Sequence, residues 1–361
     1  MVVFADDNII MLENVLGKYC EFNKFRGREI TNEILKQSGC EILFTRSQTQ
    51  VNGNLLHGTN VKVVATATSG TDHFDIEYLE LQGIKYYDAV GTNANSVAEF
   101  VLYSVIKYCV SNDLPFDELT IGIVGFGNIG KIVAKYSELI GLKVLINDPP
   151  LYDTNFPFPE YTTYVDFDTL LIESDIITNH VPLTFTGKYK TFQLFDTIQM
   201  SKVKKCKLFL HTSRGNVVAE NALLNKCLNE EMSVVIDVWE NEPDFNSELA
   251  KTSLIATPHI AGHSYEGKLN GTLKMIEIFE EYSNLEVDKI LLFDEINKST
   301  KYIITEFISR SELALQIDNR RKISHDNLSF KEVALLDIAE KKIKFDDFRK
   351  KYPIRNELLK I

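Results

Sequence analysis

The chain has 361 residues, 44% hydrophobic and 25% charged, with a formal net charge of -12; these are ordinary globular values, and the length suits two domains with room for a further module. The acidity argues against a nucleic-acid partner, and no apolar run approaches the roughly 20 residues that cross a bilayer. Five scattered cysteines without a CxxC pair argue against a disulfide framework or a zinc site, so a cytoplasmic protein with reduced thiols is expected.

"MVVFADDNII" reads as a first strand and not a signal peptide, because Asp6 and Asp7 interrupt the apolar run and no basic residues lead it. Further β-rich runs fall at 40–46, 61–67, 120–125, 142–148, 174–181, 206–213, 232–239 and 253–258. Helix-like stretches separate most of them, which is the rhythm of βαβ units around a parallel sheet. No repeat of 20 to 50 residues is present. Two Ser-x-x-Glu capping boxes, Ser96 with Glu99 and Ser329 with Glu332, predict helix starts. The first of these helices is read as an arm joining two domains, with the chain crossing back near 262–290. The first domain is therefore expected to be discontinuous, residues 1–95 and about 263–295, around a second domain at 96–262. Basic residues gather after about Lys301, in "NRRK" and "FRKKYPIR", as a solvated face or a subunit contact would.

Within "TIGIVGFGNIGKIVAKYSELIGLKVLIND", Gly125, Gly127 and Gly130 have GxGxxG spacing. Glycine is common enough that the spacing alone also fits a plain turn. Here a strand-like run precedes it, and an amphipathic helix from about Ile129 to Ile140 follows, with Asn128 and Ile129 expected among the cofactor contacts. A second strand then ends at Asp148, 18 residues beyond Gly130. That order is the dinucleotide fingerprint: Gly125 for the tight turn, Gly127 for approach of a pyrophosphate, Gly130 for close packing, and the helix N-terminus for the phosphates. Asp148 would accept hydrogen bonds from the ribose hydroxyls and repel a 2′-phosphate, favouring NAD over NADP; before Pro149 and Pro150 it also fits a turn residue.

Three later strands end in residues with chemistry: Arg214 in "HTSRGN", Glu242 in "DVWENEP" and His259 in "TPHIAG". Oxidation of a 2-hydroxy acid needs a base near neutrality, which His259 offers. It also needs a carboxylate to hold the second ring nitrogen, here Glu242, and a planar cation for the substrate carboxylate, here Arg214. Each of the three, taken singly, also fits a structural role. The other histidines show no ligand spacing, and no HxxxH pair or carboxylate cluster suggests a metal, so none is expected.

At these residues the chain resembles the D-isomer-specific 2-hydroxyacid dehydrogenases, which share the "RG" arginine, the glutamate of "DVWENEP" and the histidine of "TPHIAGHSYEGK". The resemblance implies an α/β fold with a Rossmann dinucleotide-binding domain, a flavodoxin-like discontinuous substrate or lid domain, and a small C-terminal dimerisation module at 296–361. It implies NAD as cofactor, a small phosphorylated 2-hydroxy acid as substrate and a homodimer. Arg214, Glu242 and His259 are similar to the catalytic trio, and Val181, Thr212, Ser213, Asp237 and Gly262 to further NAD contacts. Ser47, Thr68, Ser69, Gly70 and His263 stand where substrate contacts are expected, with Arg46 beside Ser47 as a local phosphate grip. Relatives carry tyrosine at the position of His263, and the tail after about Asn297 reads as shorter than theirs. Another D-2-hydroxyacid dehydrogenase, or a non-catalytic NAD-sensing protein on the same fold, would share many of these features.

Overall fold

The computed structural model describes residues 1–229, 232–299 and 301–360. The chain divides into two compact units, Met1–Asn93 with Ser264–Thr300, and Ala94–His263 with Lys301–Ile361.

The first unit is built on a five-stranded sheet of β1 (Val2–Asp6), β2 (Glu21–Phe25), β3 (Ile42–Thr45), β4 (Val63–Thr66) and β5 (Lys85–Asp88). Every pairing is parallel, in the order β2-β1-β3-β4-β5. This is the flavodoxin-like order, with its switch point between β1 and β3. The central strands β3 and β4 are buried at every position, as a parallel sheet covered on both faces requires. On one face Leu269, Met275, Ile276 and Phe279 of the helix Tyr265–Ser283 pack with Val3, Ile42 and Val63.

The second unit holds seven parallel strands: β6 (Thr120–Val124), β7 (Lys143–Asn147), β8 (Thr162–Tyr164), β9 (Ile176–Asn179), β10 (Leu208–His211), β11 (Ser233–Ile236) and β12 (Ile255–Ala256). Their order is β12-β11-β10-β9-β6-β7-β8. The first crossover from β6 runs through the helix Asn128–Leu139 to β7, and the chain later returns to place β9 on the other side of β6. A doubly wound nucleotide-binding sheet results, with its switch point between β6 and β9. Residues 301–361 belong to this unit: Ile304, Leu313, Ile317, Leu358 and Leu359 join the core around the helix Ala94–Ser111, while Phe330 and Phe345 join that of Trp239 and Phe245.

The strands that no β-rich run marks in the sequence, β2, β5 and β8, all lie at sheet edges. Edge strands are half solvated and need no continuous apolar run, so they lack the signal that marks central ones. Both expected capping boxes are corrected. Ser96 lies inside the helix Ala94–Ser111, where its hydroxyl donates to the carbonyl of Ala261 at 2.7 Å. The Glu99 carboxylate accepts instead from the amides of Leu358 and Leu359, at 2.7 and 2.5 Å, and from Arg321 at 3.3 Å. Those donors are more than 200 residues away in sequence, out of reach of a local motif. Ser329 lies in the interior of the helix Ile323–Val333, whose start is set by Lys322 in the left-handed region at φ 55°.

Candidate active site

The glycine turn sits at the switch point of the seven-stranded sheet. Gly125, directly after β6, has φ +91°, and a Cβ there would lie 2.9 Å from the backbone of His180 and 3.0 Å from Val181 Cγ1. A Cβ on Gly130 would meet the carbonyl oxygen of Gly125 at 2.0 Å, so only glycine lets the helix Asn128–Leu139 close onto the turn. Above Gly127 the space is open, with no atom within 4 Å of an added Cβ. Gly127 is also the N-cap of that helix and offers no side-chain cap. The first amides, beginning at Asn128 and Ile129, are left for a ligand, and the positive end of the helix suits a pyrophosphate.

Asp148 lies at the tip of β7 and works in two ways. One carboxylate oxygen accepts from Phe126 N at 2.7 Å and the other from Leu151 N at 3.1 Å, capping the helix Pro149–Asp153. It therefore fastens the glycine turn to the neighbouring strand end, while each oxygen keeps a second lone pair for a ribose hydroxyl. The residues present fit a dinucleotide.

Beyond β10, the buried His211 anchors the turn that carries Arg214. Its Nδ1 lies 3.2 Å from Asn179 Nδ2 and its Nε2 3.2 Å from the carbonyl of Gly215. Burial pulls its pKa down to about 4, so the neutral ring accepts at Nδ1 and donates at Nε2. Ser213 Oγ donates to Asn179 Oδ1, and Thr212 Oγ1 lies 3.4 Å from His180 Nδ1. The Arg214 guanidinium donates back to Ser213 O at 3.0 Å. Gly215 then wedges against the next strand's loop, where a Cβ would lie 1.9 Å from the carbonyl oxygen of Trp239.

That loop carries Glu242. Its carboxylate receives His259 Nδ1 at 2.9 and 3.1 Å and Trp239 N at 3.0 Å, with Arg349 Nη1 at 3.7 Å. Burial acts to raise the Glu242 pKa, yet His259, Arg349 and the Trp239 amide together outweigh it and hold the group below the usual carboxylate range. His259 itself is in the left-handed region at φ 58°, uncommon for a residue with a Cβ. Asp237 enforces this bend: its carboxylate accepts from Thr257 Oγ1 at 2.6 Å, Ile260 N at 2.8 Å and Ala261 N at 3.0 Å, and its own carbonyl takes His259 N at 2.6 Å. Only 1% exposed, Asp237 shapes the histidine loop from beneath. Nδ1 of His259 faces a carboxylate, so it carries the proton, and Nε2 is left with a lone pair.

Further along, Gly262 continues the turn closed by His263 N to Ile260 O at 2.9 Å, and the His263 ring lies 5.6 Å from that of Tyr352. The residues expected to touch substrate otherwise fall in the first unit. Arg46 follows β3 and reaches the carbonyl of Asn8 at 3.5 Å, next to the exposed Ser47. Thr68 Oγ1 lies 2.8 Å from Thr66 Oγ1, Ser69 Oγ donates to Asn93 Oδ1 at 3.1 Å, and Gly70 N donates to Asp88 at 2.8 Å. The structure thus brings Glu242 and His259 together and sets the Arg214 turn against the Glu242 loop.

Lys268 closes the "HSYEGK" string, and spacing alone assigns it no role. Burial first, and then the like charge of Arg46, pull its ammonium down to about 8. One turn further, Thr272 Oγ1 donates to Ile10 O at 2.7 Å, in the same loop whose Asn8 carbonyl Arg46 reaches. Two cations held together in this way suit an anion.

The family described as D-isomer specific 2-hydroxyacid dehydrogenase, NAD binding domain, matches residues 110–261. An erythronate-4-phosphate dehydrogenase of Wigglesworthia glossinidia brevipalpis is 36% identical over 360 residues, 99% of this chain and 88% of that protein. One from Acinetobacter baumannii is 33% identical over 99% of this chain and 98% of that protein. Among solved structures, an NAD+-bound 3-phosphoglycerate dehydrogenase of Entamoeba histolytica aligns with TM-score 0.65 at 24% identity, over 79% of this chain and 96% of that one. An NAD-bound formate dehydrogenase of Staphylococcus aureus aligns over the same shares with TM-score 0.64 at 23% identity.

Proposed function

The chain belongs to the erythronate-4-phosphate dehydrogenases within the D-isomer-specific 2-hydroxyacid dehydrogenase family, and from that premise we propose that it oxidises 4-phospho-D-erythronate at C2 to 2-oxo-3-hydroxy-4-phosphobutanoate, a step of pyridoxal 5′-phosphate synthesis. It is an NAD-dependent oxidoreductase. NAD, when bound, supplies the acceptor for the hydride that leaves C2.

The observation that carries the reading is the His259–Glu242 pair. His259 Nε2 takes the C2 hydroxyl proton as the C2–H bond breaks and the carbonyl forms. Glu242, kept ionised, holds the ring in the tautomer that leaves Nε2 free and stabilises the cation that results. Arg214 holds the substrate carboxylate and orients C2. Val181, Thr212, Ser213 and Gly262 line the nucleotide, with Asp237 acting through the loop it shapes. In the first unit, Thr68, Ser69 and Gly70 bind the hydroxylated chain. Arg46, Ser47 and Lys268 take the phosphate, and His263 makes the contact that tyrosine makes in relatives.

The deciding assay is NADH formation from phosphorylated and plain four-carbon 2-hydroxy acids. A clear preference for the phosphorylated acid is expected, and faster turnover of the plain one points to another D-2-hydroxyacid dehydrogenase. Lys268→Met is expected to raise KM for the phosphorylated substrate about 10- to 100-fold while leaving the plain analogue unaffected. Phosphate affinity needs the ammonium charged, so in the wild type it is full below about pH 8 and falls as pH rises through it. A KM ratio between the two substrates that stays flat from pH 6.5 to 9.5 would remove Lys268 from the phosphate site.

The reading includes a cytoplasmic homodimer joined through residues 296–361. All five cysteines are free thiols, in keeping with a reducing compartment. Leu328, Leu335, Ile338 and Ile343 are exposed on the C-terminal segment, as a subunit contact requires.

A further inference from the structure

We propose that the C-terminal helix Ile338–Lys350 is part of the catalytic apparatus, with Arg349 acting as a positioning residue that keeps Glu242 ionised and directed at His259. The inference rests on the reading of Glu242 and His259 as the acid/base pair.

The helix grips the Glu242–Phe245 stretch at two points. Near its start, Lys341 is only 6% exposed, and its ammonium donates to Phe245 O at 2.7 Å and pairs with Asp244 at 3.1 Å. In its middle, Phe345 packs against Phe245 and Phe330, with ring centroids 5.8 and 5.9 Å apart. Near its end, Arg349 lies over the Phe345 ring at 5.9 Å and sets Nη1 3.7 Å from Glu242 Oε2. The spacing of eight residues from Lys341 to Arg349 is a little over two helical turns, so both cations leave the same face. The Glu242 Oε2 atom therefore has both His259 Nδ1, at 2.9 Å, and Arg349 Nη1, at 3.7 Å, beside it.

A carboxylate that served only to orient the ring could rely on the Trp239 amide and His259. At 3.7 Å the guanidinium is too far to replace either hydrogen bond, yet close enough to act through charge. Its charge helps hold the Glu242 carboxylate ionised and opposes a further positive charge beside it. In the direction of hydroxy-acid oxidation the base must be unprotonated, so a cation at this place extends activity to lower pH. Glu220, Asp237 and His211 also interact electrostatically with members of the pair, and the turn carrying Arg214 lies against the same loop; none of these is altered by substitution at Arg349.

The test is the pH profile of kcat/KM for oxidation in Arg349→Met and Arg349→Lys, alongside NADH affinity by fluorescence. In Arg349→Met the acid limb is expected to move up by about half a pH unit, a shift kept modest by partial exposure of both groups, with NADH affinity unchanged. Arg349→Lys, which keeps the charge, is expected to restore most of the wild-type limb. Arg349→Gln carries the same expectation as the methionine variant and serves if that one does not fold. A limb that superimposes on the wild type in the uncharged variants, or that moves equally in the lysine variant, overturns the proposal. Failure of the underlying acid/base reading is told apart by Glu242→Gln: if that variant keeps full turnover, the pair itself is misassigned, whatever Arg349 does.

Discussion

His259→Ala is expected to lower kcat by about 100- to 10,000-fold, the range that a positioned general base contributes, while NADH affinity stays within about twofold. The two quantities separate because the imidazole and the glycine turn are held by different parts of the sheet. The turn rests on Gly125, Gly130 and the Asp148 carboxylate. The histidine rests on β11 and β12, through Asp237 and the bend at φ 58°. Removing the ring leaves that bend in place, since the Asp237 carboxylate binds backbone amides and the Thr257 hydroxyl and not the imidazole. The variant should therefore fold with its Glu242 loop intact. Steady-state kinetics with a fluorescence titration of NADH checks this. A kcat within threefold of wild type contradicts the base assignment, and equal losses in kcat and in NADH affinity point to a collapsed loop.

Gly215→Ala is expected to be strongly damaging. The added carbon would lie 1.9 Å from the Trp239 carbonyl oxygen and 2.1 Å from its carbon, and both are backbone atoms that cannot swing aside. Relief requires the Arg214 turn and the Trp239–Glu242 loop to separate. That breaks the His211 bond to Gly215 O and moves the Arg214 turn away from the loop that carries Glu242. A loss of about 2–4 kcal/mol in stability follows from forced overpacking, with at least a 100-fold fall in kcat/KM, because displacement of a positioning group by about 1 Å is enough for that. Denaturant unfolding and steady-state kinetics read the two effects. Wild-type stability with wild-type activity in this variant would mean that the two strand ends are not locked together as described.

The sequence by itself determined the elements whose causes are local or periodic. Buried parallel strands such as Ile42–Thr45 and Leu208–His211 show as unbroken apolar runs, since both faces of each strand are covered. The glycine fingerprint was legible because a tight turn, a ligand approach and a helix contact each demand glycine at a fixed offset. The trio of Arg214, Glu242 and His259 could be named because each follows a recognisable strand end. What only the tertiary structure decided depends on partners brought from far along the chain. Asp237 has the residue type of a ligand contact, but its burial beneath the histidine loop makes it the group that bends that loop. Ser96 and Glu99 have the spacing of a cap, yet their partners are Ala261 and the residues Leu358 and Leu359. Lys268 and Arg349 stand in strings the sequence singles out, "HSYEGK" and "FRKKYPIR", but their roles do not show there, because a cation acquires a role only from the charges that folding sets beside it. Local spacing encodes backbone geometry, whereas electrostatic roles are set by distances of a few ångströms between residues that sequence order does not relate.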